Sequence, residues 1–339
     1  MPKDTINWIA ADWGTSNLRV WAMSSEGTIL AGNQSSQGMS AIAKAGGNFE
    51  AALLDLIYPW LPSNQTLPVI ACGMVGARQG WQEVPYATAP CSPQTPLTQV
   101  PSKSTQIEVY IHAGVCQENP ADVMRGEETQ IAGLLAQQPD FEGLVCLPGT
   151  HSKWAQIQDG KIQSFHTFMT GEVFSLLSEH SILRLTTSNE GSDENAFQKG
   201  ILEAYDHPER FLSNCFSLRA EHLLHDLDAI SADSRLSGLV IGHELSSVLK
   251  ELENQNPIAL IGSGSIARNY KSALEALGRS VREFSTTELT LKGLTNSFDS
   301  QSRRAKDGRI EKIETELEVL LEEKPSEVSL SEIVLKSRR

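Results

Sequence analysis

The chain is short of several things, and each shortage closes a class of answers. No apolar run approaches the ~18 residues that a membrane-spanning helix needs. The opening residues, MPKDTINW, lack the apolar core of a secretory leader, so the expectation is the cytoplasm with no membrane partner. Cysteine is scarce: Cys72, Cys91, Cys116, Cys146 and Cys215 make an odd five at wide spacing, with no Cys-x-x-Cys pair. That pattern argues against a disulfide scaffold and a zinc centre, and leaves buried small apolar groups. Positive charge is in deficit, 28 Lys and Arg against 42 Asp and Glu, for a net charge of −14. Such a surface repels phosphate backbones, so nucleic acid is not an expected partner.

What is present is ordinary globular material. The 339 residues are 40% hydrophobic, and a prior of roughly 150 residues per domain gives about two domains. The charge is uneven. Gln301–Arg339 holds nine basic and nine acidic residues, so the whole excess of −14 resides before it. Within this tail Ile310, Ile313, Leu317 and Leu320 recur at near-heptad spacing until Lys324 and Pro325 end the pattern. The spacing predicts a short amphipathic helix, either a solvated appendage or a self-association helix that would make a homodimer.

The body of the chain repeats one pattern. Asn7–Ala11 is an apolar run that ends in Asp12-Trp13-Gly14-Thr15-Ser16-Asn17; strands are expected at Leu18–Met23 and, after Ser25-Glu26-Gly27, at Thr28–Ala31. Leu144–Leu147 likewise ends in Pro148-Gly149-Thr150-His151-Ser152, followed by expected strands at Lys153–Ile157 and, after Asp159-Gly160, at Lys161–Phe165. Two copies of one strand–Gly turn–strand–turn–strand unit suggest two halves of similar topology. Helical spacing follows each copy, over Phe49–Trp60 and Gly171–Leu183. Short apolar runs at Pro68–Ala71, Ser237–Ile241 and Pro257–Ile261 read as central strands. Strands alternating with helices make the fold class α/β.

Several turns could carry chemistry. Asp12 at a strand end is suited to a hydrated Mg²⁺, while Gly14, Thr15 and Ser16 offer N–H and hydroxyl donors to an anion; a tight hairpin with no ligand reads the same way. Gly149, Thr150, His151, Ser152 and Lys153 form the matching turn, with one positive charge. Ile261-Gly262-Ser263-Gly264-Ser265 precedes a helical pattern over Ile266–Leu277, so Gly262 and Gly264 would leave free N–H groups at a helix start. In Asp122-Val123-Met124-Arg125-Gly126-Glu127-Glu128, three acids lead into a helical stretch over Ile131–Leu135. Any of Asp122, Glu127 and Glu128 could accept a proton from an attacking hydroxyl, or the adjacent Glu127 and Glu128 could merely favour the helix dipole. Arg78, in Gly-Met-Val-Gly-Ala-Arg-Gln-Gly-Trp, together with Arg19 and Arg125, are the candidates to hold an anionic substrate, although each could serve in an ordinary ion pair.

In that order these motifs resemble the superfamily of actin, heat-shock chaperones and sugar kinases, and within it the 2-dehydro-3-deoxygalactonokinases. The resembling segments are AADWGTSNLRVW, GMVGARQGW, DVMRGEETQIAG, LPGTHSKWAQI, TFMTGEVFSLLSEHSIL, SGLVIGHEL and IGSGSIARNY, over residues 6–295. The resemblance implies two ribonuclease H-like domains with an ATP cleft between them, an actin-like ATPase fold. It implies residues 1–135 and 136–295 as those domains; the charged helical extension 296–339, read from its own spacing, has no counterpart in the family. It implies Asp12, Gly14, Thr15 and Ser16 as the first phosphate and Mg²⁺ loop, Gly149, Thr150, His151 and Ser152 as the second, and Gly262 and Gly264 as the adenosine-side turn. The second loop departs from the glycine-rich form of other superfamily members, which makes His151 and Lys153 candidates to touch phosphate or substrate. The Gly-Glu-Glu element resembles that of the phosphatase branch, whereas sugar kinases carry an Asp in this connection, which favours Asp122; the start of the helix at Gly126 favours Glu127. The expected activity is transfer of the ATP γ-phosphoryl group to the 6-hydroxyl of a 2-keto-3-deoxy sugar acid, with ATP, Mg²⁺ and the sugar acid as the small-molecule partners. A phosphohydrolase and a non-catalytic ATP-binding regulator are the alternatives. A ribokinase-type enzyme would need a late Gly-Ala-Gly-Asp, which is absent.

Overall fold

The strands arise where apolar side chains occur on successive residues or on every second one. The computed structural model describes residues 5–251 and 257–303. Trp8–Trp13 (β1) buries every residue but Asp12, as a central strand covered on both faces should. It pairs antiparallel with Leu18–Met23 (β2), which pairs antiparallel with Ile29–Ser35 (β3). On its other side β1 runs parallel to Leu67–Gly73 (β4). Ala87–Thr88 (β5) belongs to a small separate sheet, while Leu97–Val100 (β6) and Ile107–His112 (β7) complete the first sheet in the order β3-β2-β1-β4-β7-β6. Val115–Glu118 (β8) joins β5 to Ala121–Met124 (β9) in the small sheet. The last sheet contains Gly143–Leu147 (β10), Ser152–Gln158 (β11), Lys161–Phe168 (β12), Ile258–Gly262 (β13) and Val281–Ser285 (β14), in the order β12-β11-β10-β13-β14.

The two large sheets share one connectivity. In each, three consecutive strands form an antiparallel meander, and two later strands add in parallel beside the first of them. The repeat visible in the Gly turns is therefore a repeat of whole sheets, with Asp12-Trp13 and Leu147-Pro148 at equivalent strand ends. Among the described residues the α-helices include Met39–Lys44 (α1), Phe49–Ile57 (α2), Glu127–Gln137 (α3), Thr170–Ser175 (α4), Glu194–Asp206 (α5), Phe211–Leu224 (α6), Ala229–Glu251 (α7) and Gly264–Ala276 (α8). Residues 286–294 are also helical. Side-chain caps start three of these helices: Asn48 accepts from the Ala51 amide at 3.1 Å, Asp193 from the Asn195 and Ala196 amides at 2.9 and 3.1 Å, and Asp228 from the Ile230 and Ser231 amides at 3.1 and 2.9 Å. The chain divides into two compact units, Met1–Leu294 and Thr295–Arg339. In the second, residues 295–303 are helical, and the helix expected around Ile310–Leu320 lies outside the described residues.

Alternation along β10 explains how the last sheet is buried on both sides. Leu144 and Cys146 pack in one apolar cluster with α5, α7 and α8; Val145 and Leu147 pack in another with α3. The core of the first sheet gathers Ile9, Val20, Val69 and Val109 against Leu53 of α2.

Two local expectations are corrected. Ser237–Ile241 is not a strand but part of the 23-residue helix α7. Ala232, Leu236, Leu239, Val240 and Leu245 are buried along it at helical spacing, a period that a five-residue window does not reveal. Glycine decides the packing there, since a Cβ on Gly238 would lie 2.1 Å from the Phe197 carbonyl oxygen of α5. Gly171–Leu183 is not one continuous helix: α4 gives way to a wide π turn over Leu176–His180 and then a tight 3₁₀ turn over Ile182–Leu185. Asp122 lies on β9, and α3 begins at Glu127, directly after Gly126.

Candidate active site

In open α/β sheets, ligands gather outside the carboxyl ends of the parallel strands. The ends of β1, β4, β10 and β13 meet in this way around one cleft of about 960 Å³, to which they contribute Asp12, Gly73, Leu147 and Ile261. Gly14, Thr15 and Ser16 line one side and Gly149, Thr150, His151 and Lys153 the other. The connection from β9 into α3 adds Arg125, Gly126 and Glu127. Gly73 has φ +89°, and a Cβ there would lie 2.6 Å from the Trp13 carbonyl oxygen, so glycine alone allows β4 to turn away beside β1.

Charges alternate around the cleft. Asp12 forms a short ion pair with Arg19, its register partner on β2, and Arg19 Nη1 donates to Thr287 Oγ1 at 3.2 Å. Burial, with the charges of Asp12 and Glu128, pushes the Cys72 thiol well up, so it faces Asp12 as a neutral group. His151 Nε2 lies 2.6 Å from Glu172 Oε2 at the rim, and Lys153 is buried on β11. Ser152 turns away. Its hydroxyl lies 2.6 Å from the Tyr270 hydroxyl, which in turn donates to Glu244 at 2.7 Å. Trp154 Nε1 donates to the same carboxylate at 2.6 Å, and Thr170 Oγ1 also donates to it. Glu244 thus ties β11, α4 and α8 to α7 beneath the second turn. Burial pushes its carboxyl up, against the pull of these donors.

The three acids of the β9–α3 connection have different surroundings. Asp122 accepts from the Thr167 amide at 2.7 Å, from Thr167 Oγ1 at 2.6 Å and from the Val123 amide at 2.7 Å, which saturates it as a tie between β9 and β12. Glu128 is fully buried, accepts from the Gly126 amide at 2.6 Å and from Thr129 Oγ1 at 3.1 Å, and is pushed up to about 8 by burial and then by the Glu127 charge. Glu127 opens on the cleft, where the Arg125 amide donates to it at 3.0 Å. Burial raises its carboxyl, and the Lys153 ammonium is the first of the influences that pull it back.

The three arginines also separate. Arg78 is 81% exposed, faces Glu83 at 3.3 Å and does not line the cleft. Arg19 lines it but is engaged by Asp12. Arg125 is 9% exposed, donates through Nη2 to the Val84 carbonyl at 2.8 Å and lies 4.3 Å over the Tyr86 ring, while its Nε and Nη1 have no partner. Buried donors of a charged group left unpaired are costly. Gly262 and Gly264 line neither the cleft nor the cavity behind it; they shape the turn from β13 into α8, Gly264 with φ +69°.

The family model described as DGOK, 2-keto-3-deoxy-galactonokinase, matches residues 12–297. The chain belongs to this family. It is 36% identical over 298 residues to the Rhizobium meliloti (strain 1021) protein named "Probable 2-dehydro-3-deoxygalactonokinase DgoK1", a match spanning 85% of this chain and 95% of that one. It is 32% identical over 275 residues to the Escherichia coli (strain K12) 2-dehydro-3-deoxygalactonokinase, spanning 81% and 91%. A crystal structure described as that of "a putative 2-dehydro-3-deoxygalactonokinase protein from Sinorhizobium meliloti" superposes with a TM-score of 0.80 at 35% identity, over 86% of this chain and 97% of that one. Every residue of the cleft falls inside the galactonokinase-family match, which opens on Asp12 itself.

A second cavity in this galactonokinase-family chain, about 610 Å³, is lined by Ser265, Ile266 and Asn269 of α8, Asp233 of α7, and Thr170 and Gly171. Thr170 and Gly171 pack directly on the second Gly turn: the Glu172 amide donates to the Thr150 carbonyl at 3.0 Å, and a Cβ on Gly171 would meet the Gly149 carbonyl oxygen at 2.5 Å. The two cavities therefore share one wall. Sequence reasoning passed over Glu244, Tyr86 and this second cavity. An acid at a buried helical position was the available signal for Glu244, and it was hidden by the misread strand.

Proposed function

We propose that the chain is an ATP-dependent kinase that transfers the γ-phosphoryl group to the 6-hydroxyl of 2-dehydro-3-deoxy-D-galactonate. One observation carries the reading: the cleft that brings the two Gly-Thr turns together also holds Glu127, the only one of the three acids neither saturated by donors nor sealed in the core. The repeated sheet order supports two ribonuclease H-like halves, 1–135 and 136–295, of an actin-like ATPase fold with ATP between them. A cytoplasmic place suits a kinase that consumes ATP.

In this reading the phosphates lie between Gly14-Thr15-Ser16 and Gly149-Thr150, with Lys153 and His151 adding positive charge. The shared wall at Thr170–Gly171 lets the nucleoside reach the second cavity. Arg125 takes the sugar-acid carboxylate, because its unpaired donors suit a planar anion. The oxygen donor Asp12 fits Mg²⁺, which takes one or two carboxylates and completes its shell with phosphate oxygens and water. The metal, when bound, neutralises charge on the phosphates. As the substrate oxygen bonds to the γ-phosphorus, the bond from that phosphorus to the β–γ bridging oxygen breaks, the hydroxyl proton passes to Glu127, and ADP leaves.

A coupled ADP-release assay over a panel of 2-keto-3-deoxy sugar acids tests the proposal. Turnover that requires a sugar acid, greatest with the galactonate-derived one, supports it. ADP formed equally fast with no sugar acid would instead identify a phosphohydrolase.

A further inference from the structure

Helix α6 buries Cys215 and Leu218 against its neighbours, yet Leu212, Phe216 and Leu223 recur on its outer side with exposures of 79, 62 and 63%. At 100° per residue these three lie within about 40° of one another, so they form one stripe. Leu224 stands exposed beside the stripe, and Ile182 and Leu185 are exposed on the adjoining 3₁₀ turn. Arg219 joins the two elements, donating to the Leu185 carbonyl and to Thr186 Oγ1, each at 3.3 Å.

Two properties of this face identify its occupant. The first is size: six large apolar side chains at these exposures offer roughly 700 Å², above the largest apolar patch of most monomers and close to the ≈ 800 Å² that one partner gives a standard interface. The second is charge. The chain carries −14, so two copies repel over most of their surfaces. Yet the one acid of α6, Glu221, is paired with Arg235 Nη1 at 2.7 Å, while Arg219 donates only to neutral groups. With no unpaired acid on α6 or on the Ile182–Leu185 turn, a second copy can approach here without acid facing acid.

We infer that α6 and the Ile182–Leu185 turn form a two-fold interface, in which each copy lays its α6 stripe against that of the other. A stripe on one helix is self-complementary under a two-fold axis, which gives a closed dimer. The face contributes no residue to the cleft or to the second cavity, so the inference does not depend on the proposed reaction.

Sedimentation equilibrium on the full chain at micromolar concentration tests it, with circular dichroism as the check on folding. The wild-type chain is expected at twice 37.1 kDa. Phe216→Glu and Leu212→Glu, made singly, each place a carboxylate in the stripe and are expected at 37.1 kDa with wild-type helix content and unchanged kcat. A wild-type chain that stays at the single mass overturns the inference and leaves the face to the chain's own tail or to another protein. A dimer that persists in both folded variants also overturns it, because the interface must then lie elsewhere.

Discussion

The distinction between Glu127, Glu128 and Asp122 rests on hydrogen bonds, and hydrogen bonds are what sequence spacing withholds. The heptapeptide Asp122–Glu128 announced that an acid of this stretch faces the cleft, but helical periodicity left two of the three equivalent. The structure separates them through particular donors: Thr167 saturates Asp122, and the Gly126 amide and Thr129 hold Glu128 inside. A positioned base contributes roughly 10²–10⁴-fold. Steady-state kinetics should therefore show Glu127→Gln losing about that much kcat with both KM values little changed, while Glu128→Gln retains most of it. A larger kcat loss in Glu128→Gln than in Glu127→Gln would remove Glu127 from the role. The arginines follow the same logic. In sequence, Arg78 between two glycines is the first choice to hold the substrate anion, ahead of Arg19 and Arg125, but 81% exposure and a Glu83 partner leave it no view of the cleft. Losing a charge-assisted bond costs about 1.5–3 kcal/mol, on the order of 10- to 100-fold, so Arg125→Ala should raise the sugar-acid KM by that factor and leave the ATP KM near wild type. Arg78→Ala should change neither, and the opposite pattern would restore Arg78.

Elements were legible where their own periodicity was complete. β1, β2, β10 and β11 are strands at nearly the expected residues because each carries its apolar run and its turn. α7 was misread because Ser237–Ile241 holds only one turn and a half of a helix whose period shows over 23 residues. Its partner α5 was not read at all: Glu194–Asp206 is polar on the outside, and only Phe197, Gly200, Ile201 and Ala204 are buried. The contact between these helices offers a test of magnitude. Ala is worth about 1 kcal/mol more than Gly in a free helix. Against this, a Cβ at position 238 would stand 2.1 Å from the Phe197 carbonyl oxygen, a backbone atom that yields only if α5 moves. Overpacking of that kind costs about 1–3 kcal/mol, and here it exceeds the propensity gain because the obstacle is main chain. Gly238→Ala should therefore unfold at a lower urea concentration than wild type, and a raised midpoint would show that the helices separate freely. Because Glu244 on α7 anchors Ser152 through Tyr270 and anchors Thr170 directly, the displacement should also weaken ATP binding before sugar-acid binding.

At the scale of the whole molecule, the groups that serve the cleft also set how stability depends on pH. The repeated sheets bring four strand ends together, and α3 drives two consecutive acids into that meeting point. Glu128 bears the cost. Burial, and then the Glu127 charge, push its carboxyl from the ordinary value of 4.5 to about 8. Between those values the folded chain keeps a proton that the unfolded chain has released, so unfolding releases a proton and stability falls as pH rises through the window. Asp233, pushed up to about 6 by burial, adds the same sign over a narrower range. Glu50, held below its ordinary value by the Ser104 and Lys103 amides and Ser102 against the opposing effect of burial, acts the other way, and its contribution is lost as pH falls through the acid range. Stability should therefore peak in mildly acidic solution and decline toward about pH 8, while a base such as Glu127 becomes competent only as it loses its proton. Urea midpoints for wild type and Glu128→Gln at about pH 5.5 and pH 8.5 separate the Glu128 contribution from the rest. The wild-type midpoint should drop between the two, and the Glu128→Gln midpoint should drop by distinctly less, because its amide has no proton to lose. Equal drops in the two chains would place the pH dependence elsewhere and show that Glu128 ionises without strain inside the fold.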